Sequence, residues 1–229
     1  MTPLAAVNDF VVKFANVNGS GSASANGLFA KVILRMGVPV GARNIFPSNI
    51  QGLPTWYEVR VSEDNWLGRR GGVDLMVAMN PQTWDADVKS IEPGGYLLYD
   101  SSKPLPAAKF RDDITLIGAP LTEMIAAEFT NPRERQLLKN ICYVGVLAQL
   151  LGFETEVVKQ LVTEEFKGKD KLIQPNFKAF DLGRAYAEAN LAPIGLKVRR
   201  ADKVGDRIFV EGNDAAALGA VYGGATFCA

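Results

Sequence analysis

The sequence predicts an α/β fold: an open, Rossmann-like sheet with helices on both faces, a helical C-terminal half of the domain, and an orphan strand–helix tail. Three observations carry this reading. From residue 9 to residue 129, short apolar or alternating β-rich runs take turns with helical patterns. Beyond residue 131 the strand signals stop and apolar residues recur at helical spacing. Residues 207–229 hold one short strand pattern and one small-residue helix, too little to bury a core alone.

Taken in order, residues 9–16 form a first strand around Phe10-Val11-Val12-Lys13-Phe14-Ala15. Residues 23–36 form a helix, closed by Gly37. Residues 38–46 hold a short second strand. Residues 55–62, Thr-Trp-Tyr-Glu-Val-Arg-Val-Ser, alternate and read as a half-buried strand. Residues 73–79 are the apolar run of a central parallel strand, ended by Asn80-Pro81. A helix over 83–91 has acidic residues in its early turns, and Gly94-Gly95 turns the chain into a strand over 96–100. A strand over 114–118 and a helix over 121–129 complete the alternation.

Asn131 caps the next helix with Pro132 at its first position. Leu137, Ile141, Val144, Ala148 and Leu151 make its core stripe as far as Gly152. A second helix covers 155–166 and a charged loop 167–171. Gln174-Pro175-Asn176 opens a third helix that ends near 191, with Asn176 as its cap. Residues 192–206 read as a linker whose basic cluster Lys197-Val198-Arg199-Arg200 is simply solvated. The expected organisation is a domain over 1–191, a linker over 192–206, and the start of a second domain over 207–229, as in a larger protein cut there.

Composition narrows the chemistry. Twenty-five basic and 25 acidic residues balance, which argues against a nucleic-acid surface. No apolar run is long enough to span a membrane and the N-terminus does not read as a secretory signal, so the cytoplasm is the expected compartment. The chain has no histidine, which excludes a Ser-His-Asp triad, a histidine base and histidine-ligated metals. Its two cysteines, Cys142 and Cys228, are too few for an iron–sulfur cluster. Cys142, inside an apolar run, reads as a buried small hydrophobe.

The most informative local feature is the turn Asn16-Val17-Asn18-Gly19-Ser20-Gly21-Ser22-Ala23-Ser24 between the first strand and first helix. Such a turn leaves backbone N–H groups free at the positive end of a helix, where phosphates bind. A dinucleotide fingerprint would need a third glycine where Ser24 stands, and an acidic residue where the window 36–45 offers Arg43. A P-loop would need a lysine well before Lys31. NAD and ATP are therefore disfavoured. Gly19, Ser20, Gly21, Ser22 and Ser24 are candidate donors to a phosphate; the alternative is a turn that holds no ligand. Arg43 is a candidate phosphate partner or a surface arginine, and Gln51 a polar ligand contact or a loop-ordering residue. Asn140, inside an apolar helix, reads as a buried hydrogen-bonding spacer.

Several segments together resemble the 2-oxoacid:ferredoxin oxidoreductases. They are the first turn, Gly71-Gly72-Val73-Asp74-Leu75-Met76-Val77-Ala78-Met79-Asn80, and Ile91-Glu92-Pro93-Gly94-Gly95. Lys139-Asn140-Ile141-Cys142-Tyr143-Val144-Gly145 and Asn176-Phe177-Lys178-Ala179-Phe180-Asp181-Leu182-Gly183 follow in the family's order. The likeness is to the gamma-type domain that some members carry at the N-terminus of the alpha subunit. Glu211-Gly212-Asn213-Asp214-Ala215-Ala216-Ala217-Leu218-Gly219-Ala220 resembles the opening of the thiamine pyrimidine domain, and the 2-oxoglutarate branch is the most similar. Two departures stand out. Serines replace the glycine-richer turn with its Arg and Gln, and Ser48-Asn49-Ile50-Gln51-Gly52-Leu53-Pro54 replaces a common Arg-Gly-Gly.

The resemblance implies an enzyme that cleaves a 2-oxoacid with thiamine diphosphate, passes electrons through iron–sulfur clusters to ferredoxin, and delivers the acyl group to coenzyme A. It implies that this part supplies subunit contacts and a coenzyme A site, is inactive alone, and has the rest of the alpha subunit, a beta subunit and ferredoxin as partners. Thiamine diphosphate and the clusters would belong to the full complex. A homodimer, an independent nucleotide-binding module and a purely structural assembly domain stay open as alternatives.

Overall fold

β1 (Ala6–Val7) and β2 (Asp9–Val17) start the chain; β2 is buried along nearly its whole length. The structure is a computed structural model that describes residues 2–46, 53–210 and 212–227. α1 (Ser22–Arg35) follows the turn, then the antiparallel pair β3 (Val40–Ile45) and β4 (Pro54–Ser62). β5 (Val73–Ala78), α2 (Trp84–Lys89), β6 (Ile91–Asp100) and β7 (Thr115–Ala119) complete a six-stranded sheet in the order β3-β4-β2-β5-β6-β7. β2, β5, β6 and β7 run parallel, while β4 pairs antiparallel with both its neighbours. α3 (Leu121–Glu128), α4 (Pro132–Leu151), α5 (Thr155–Glu165) and α6 (Asp170–Asn190) form the helical half.

The two faces of the sheet are unequal. Phe10, Val12 and Phe14 of β2 pack with Phe29 and Ile33 of α1 and with α4 in one large core. The other face carries a smaller cluster in which Trp84 and Val88 of α2 cover Ala15, Met76 and Leu97. α4 is capped as expected: the Asn131 side chain accepts from the Arg133 and Glu134 amides, and Gly152 closes it at φ 79°. α4 and α6 cross almost backbone to backbone. A Cβ on Gly145 would sit on the Phe180 carbonyl, and one on Gly183 on the Cys142 carbonyl.

Several expectations are corrected. Gly94-Gly95 does not precede a strand but lies within β6, where a register irregularity between Val73 and Leu75 absorbs it. α6 begins at Asp170, so Pro175 is inside it. Asn176 is not a cap: its side chain donates to the Leu172 carbonyl at 2.7 Å, and burial of Asn176, Ala179, Phe180 and Gly183 outweighs the proline signal.

Residues 192–203 are not a loose tether. β8 (Leu196–Lys197) pairs parallel with β1, the Val198 amide donates to the Leu151 carbonyl, and the Ala201 and Lys203 amides donate to Met36 and Gly37. The Lys197 ammonium donates to the Leu150 carbonyl, and burial lowers its pKa. Arg200 pairs with Glu154 at 2.7 Å rather than with water alone. Tyr96 ties this strap down: its hydroxyl donates to the Leu4 carbonyl at 2.7 Å and accepts from the Gly195 amide at 2.9 Å.

Residues 207–210 form no strand, and none of the described strands pairs with them. α7 (Gly212–Tyr222) is helical as expected and buries no side chain. Among the described residues, no helix is long and apolar enough to cross a membrane.

Candidate functional site

The connections from β2 and β5 diverge. β2 leads through α1 to the β3–β4 edge, whereas β5 leads through α2 to β6 on the opposite side. Open α/β sheets bind ligands at the carboxyl ends of strands beside such a switch. The turn at 17–22 lies there.

Its conformation is built by glycines and by α4. The Ser20 amide donates to the Val17 carbonyl at 3.1 Å, and Gly19 and Gly21 take φ of 84° and 76°. Gly21 is the N-cap of α1 in a left-handed conformation that an L side chain rarely adopts, and a Cβ there would strike Leu137 of α4. Asn140, three residues further along α4, donates to the Ser20 carbonyl at 3.0 Å. It is the buried spacer its position in an apolar stripe suggested. No side chain caps α1 and no acidic residue stands in its first turn, so the positive end of the helix is not neutralised.

Gly19, Gly21 and Ser22 line a cleft of about 230 Å³. The cleft also takes in Asn16 at the end of β2, Asn26 on α1, Asn44 on β3 and Thr55 on β4. Among the described residues no charged side chain lines it. Behind it Tyr143 of α4, fully buried, donates its hydroxyl to Asn26 Oδ1 at 2.7 Å. Burial pushes the Tyr143 phenol well up, with the adjacent Asn16 amide working the other way, so the phenol is a fixed donor. Asn16 is 3% exposed, and among the described residues its Nδ2 makes no hydrogen bond. Leaving a buried donor unmade costs about 1–3 kcal/mol.

The other candidates are placed differently. The Ser20 hydroxyl donates to the Ser22 hydroxyl at 3.2 Å. Ser24 is exposed and turns away from the cleft, onto a groove of about 690 Å³ between α1, the end of α5 and residues 200–209. Lys31–Glu165 and Arg35–Glu164 pairs lie along that groove. Arg43 faces the opposite side of the sheet and pairs with Glu58, its cross-strand partner, at 2.8 Å. Gln51 lies outside the described residues.

Reading the sequence missed the asparagines. Asn26 was the available signal: it shares the helical stripe of Phe29 and Ile33, where a polar side chain needs a buried partner. Asn16 ends an apolar strand and gives no such sign.

Cys142 is fully buried; burial, then the Asp100 charge, pushes its thiol up to about 12, which makes it inert. Asp100 sits at the carboxyl end of β6. Burial works against its charge, but hydrogen bonds from Ser102 and Thr122 and the Lys139 ammonium prevail and hold its carboxyl below the usual range. Asp87, beneath Trp56, is raised by burial, although Thr83 and the Trp56 indole donate to it.

An open α/β sheet with a glycine turn feeding the N-terminus of a helix has the geometry at which such folds commonly receive anions. The chain belongs to the pyruvate ferredoxin/flavodoxin oxidoreductase family, whose sequence model matches residues 11–186. It is 23% identical to the alpha subunit of 2-oxoacid:ferredoxin oxidoreductase 2 of Aeropyrum pernix, over 90% of this chain and 38% of that one. It superposes on the 2-oxoglutarate:ferredoxin oxidoreductase of Magnetococcus marinus, solved with 2-oxoglutarate, coenzyme A and succinyl-CoA, with TM-score 0.83 and 26% identity, over 95% of this chain and 37% of that one. The gamma subunit of a keto/oxoacid ferredoxin oxidoreductase from Geobacter sulfurreducens shares the fold, with TM-score 0.61 and 19% identity over 79% of this chain and 99% of that subunit. The chain thus spans little more than a third of its alpha-subunit relatives, but matches a separate gamma subunit almost end to end.

Proposed function

We propose that this chain is the gamma-type part of the alpha subunit of a 2-oxoacid:ferredoxin oxidoreductase of the 2-oxoglutarate type, supplying subunit contacts and a coenzyme A site. The likeness to the coenzyme A-bound Magnetococcus marinus enzyme over 95% of the chain carries the reading. Residues 1–191 are the gamma-type domain, 192–206 seal and leave it, and 207–229 open the thiamine pyrimidine domain. α7, with no buried side chain, fits an element whose packing partners belong to that next domain.

The donor set limits what these residues do. Without histidine and with Cys142 buried, they offer no base of ordinary histidine pKa and no thiolate set for a cluster. Thiamine diphosphate supplies the carbanion chemistry in such enzymes. Here the N–H groups of the turn and of the first turn of α1 receive a phosphate oxygen of coenzyme A, and Gly19, Gly21 and Ser22 let the backbone approach it. Ser20 supports that contact through its hydrogen bond to Ser22, while Ser24 faces the groove beside α5 and Arg43 is committed to Glu58.

The test is reconstitution. With the remainder of the alpha subunit and a beta subunit present, 2-oxoglutarate should drive coenzyme A-dependent reduction of ferredoxin, and this chain alone should be inactive. Oxidation of 2-oxoacids by the isolated chain with thiamine diphosphate would overturn the reading.

A further inference from the structure

Among the described residues the cleft behind the turn is uncharged: Asn16, Asn26 and Thr55 are buried within it, Gly19 and Asn44 are exposed at its rim, and Trp56 and Tyr57 add aromatic surface. Its lining offers asparagine amides, a threonine hydroxyl and backbone groups. A dianion placed so deep without a cation would be heavily penalised. An amide presents two N–H donors and an acceptor oxygen, the complement of a neutral edge that has acceptor and donor side by side.

Asn16 supplies an independent sign of a missing partner. It is 97% buried at the cleft, and among the described residues its Nδ2 has no hydrogen bond. Its neighbour Tyr143 has already given its only proton to Asn26 Oδ1. Even with one Asn16 N–H leaning on the phenol oxygen, the second has no acceptor. Asn80 meanwhile fixes the Asn16 backbone by donating to its carbonyl at 3.2 Å.

We propose that this cleft takes an uncharged donor–acceptor edge of the ligand, with Asn16 Nδ2 donating to its acceptor atom, while the phosphates stay at the mouth against the turn. The inference rests on the coenzyme A reading for the ligand's identity. In coenzyme A two groups have this chemistry, the adenine base and a pantetheine amide.

Calorimetric titration of the assembled oxidoreductase with coenzyme A, adenosine, pantetheine and inorganic phosphate tests it. Asn16→Leu should weaken coenzyme A by about tenfold, the loss of one neutral hydrogen bond. The same loss should recur with adenosine alone or with pantetheine alone, which identifies the group. Unchanged affinity in a folded Asn16→Leu protein overturns the inference, as does an equal loss with inorganic phosphate. If that variant does not fold, Asn44→Ala, on the exposed rim, decides: weaker coenzyme A binding supports the cleft and unchanged binding overturns it. Failure of the wild-type assembly to bind coenzyme A overturns the coenzyme reading instead. The cleft inference is then judged on adenosine and pantetheine, and binding of neither overturns it as well.

Discussion

Around the turn, on the α1 face of the sheet, the polar groups are neutral: Asn16, Asn26, Thr55 and the Tyr143 phenol; the Asp100–Lys139 pair lies further along that face, at β6 and α4. On the α2 face the polar groups are charged and paired. Arg43 meets Glu58, Arg60 meets Asp9, Arg70 meets Asp74, and Asp87 accepts from the Trp56 indole. Strand alternation does this sorting. Asn44 and Arg43 are adjacent on β3 and point to opposite sides, so the arginine is matched across strands by Glu58 and does not face the turn. The difference teaches that the anion-attracting element on the α1 face is backbone, held by a helix behind it, and not a basic side chain.

The largest expected effect comes from breaking that helical support. Gly145→Ala places a methyl on the Phe180 carbonyl, a contact neither backbone can leave. It should cost about 3 kcal/mol, read as a lower urea midpoint. A midpoint within experimental error of the wild type would show that α4 and α6 can separate.

Tyr143→Phe is next. It deletes the donor to Asn26 inside the α1 face and should cost about 1–2 kcal/mol in the same assay. No cost would mean that the neutral network contributes little.

The charged residues are tested by pH. Asp100 has a lowered folded pKa, so its contribution is complete above the ordinary carboxyl value and is lost as pH falls through the lower folded value. Asp87 has a raised folded pKa, so stability instead falls as pH rises from the ordinary value through the folded one. Asp100→Asn should flatten the acid limb of the melting-temperature profile, and Asp87→Asn should remove a decline of opposite slope. Profiles that change in the same direction would contradict the two environments.

The smallest effect belongs to Arg43→Ala. Its half-exposed pair with Glu58 is worth up to about 1 kcal/mol, and coenzyme A affinity should stay within about twofold of wild type. A tenfold loss would return Arg43 to the ligand.

Much of the layout was legible because it depends on local patterns. Asn131-Pro132 and Gly152 marked the ends of α4, and the run 73–79 marked a central strand. What escaped depends on distant partners. Pro175 looked like a helix start because the burial of Phe180 and Gly183 against α4 cannot be seen from neighbours in sequence. Residues 192–203 looked like a linker because their hydrogen bonds go to residues at the other end of the domain. At the site, the glycines and serines of the turn announced themselves, whereas Asn16, Asn26 and Tyr143 became a group only through the approach of α1 and α4.

The strap also orders events during synthesis. Asn8 donates to the Arg199 carbonyl and accepts from the Arg199 amide, groups 191 positions away. The first strand therefore leaves the ribosome long before its last neighbour exists. Until Gly195 emerges, the Tyr96 hydroxyl has only the Leu4 carbonyl to meet, and β1 has no strand to pair with. Domains fold as units, so final closure of this one waits for nearly the whole of residues 1–203. The sequence that follows is translated while its own foundation is still being locked.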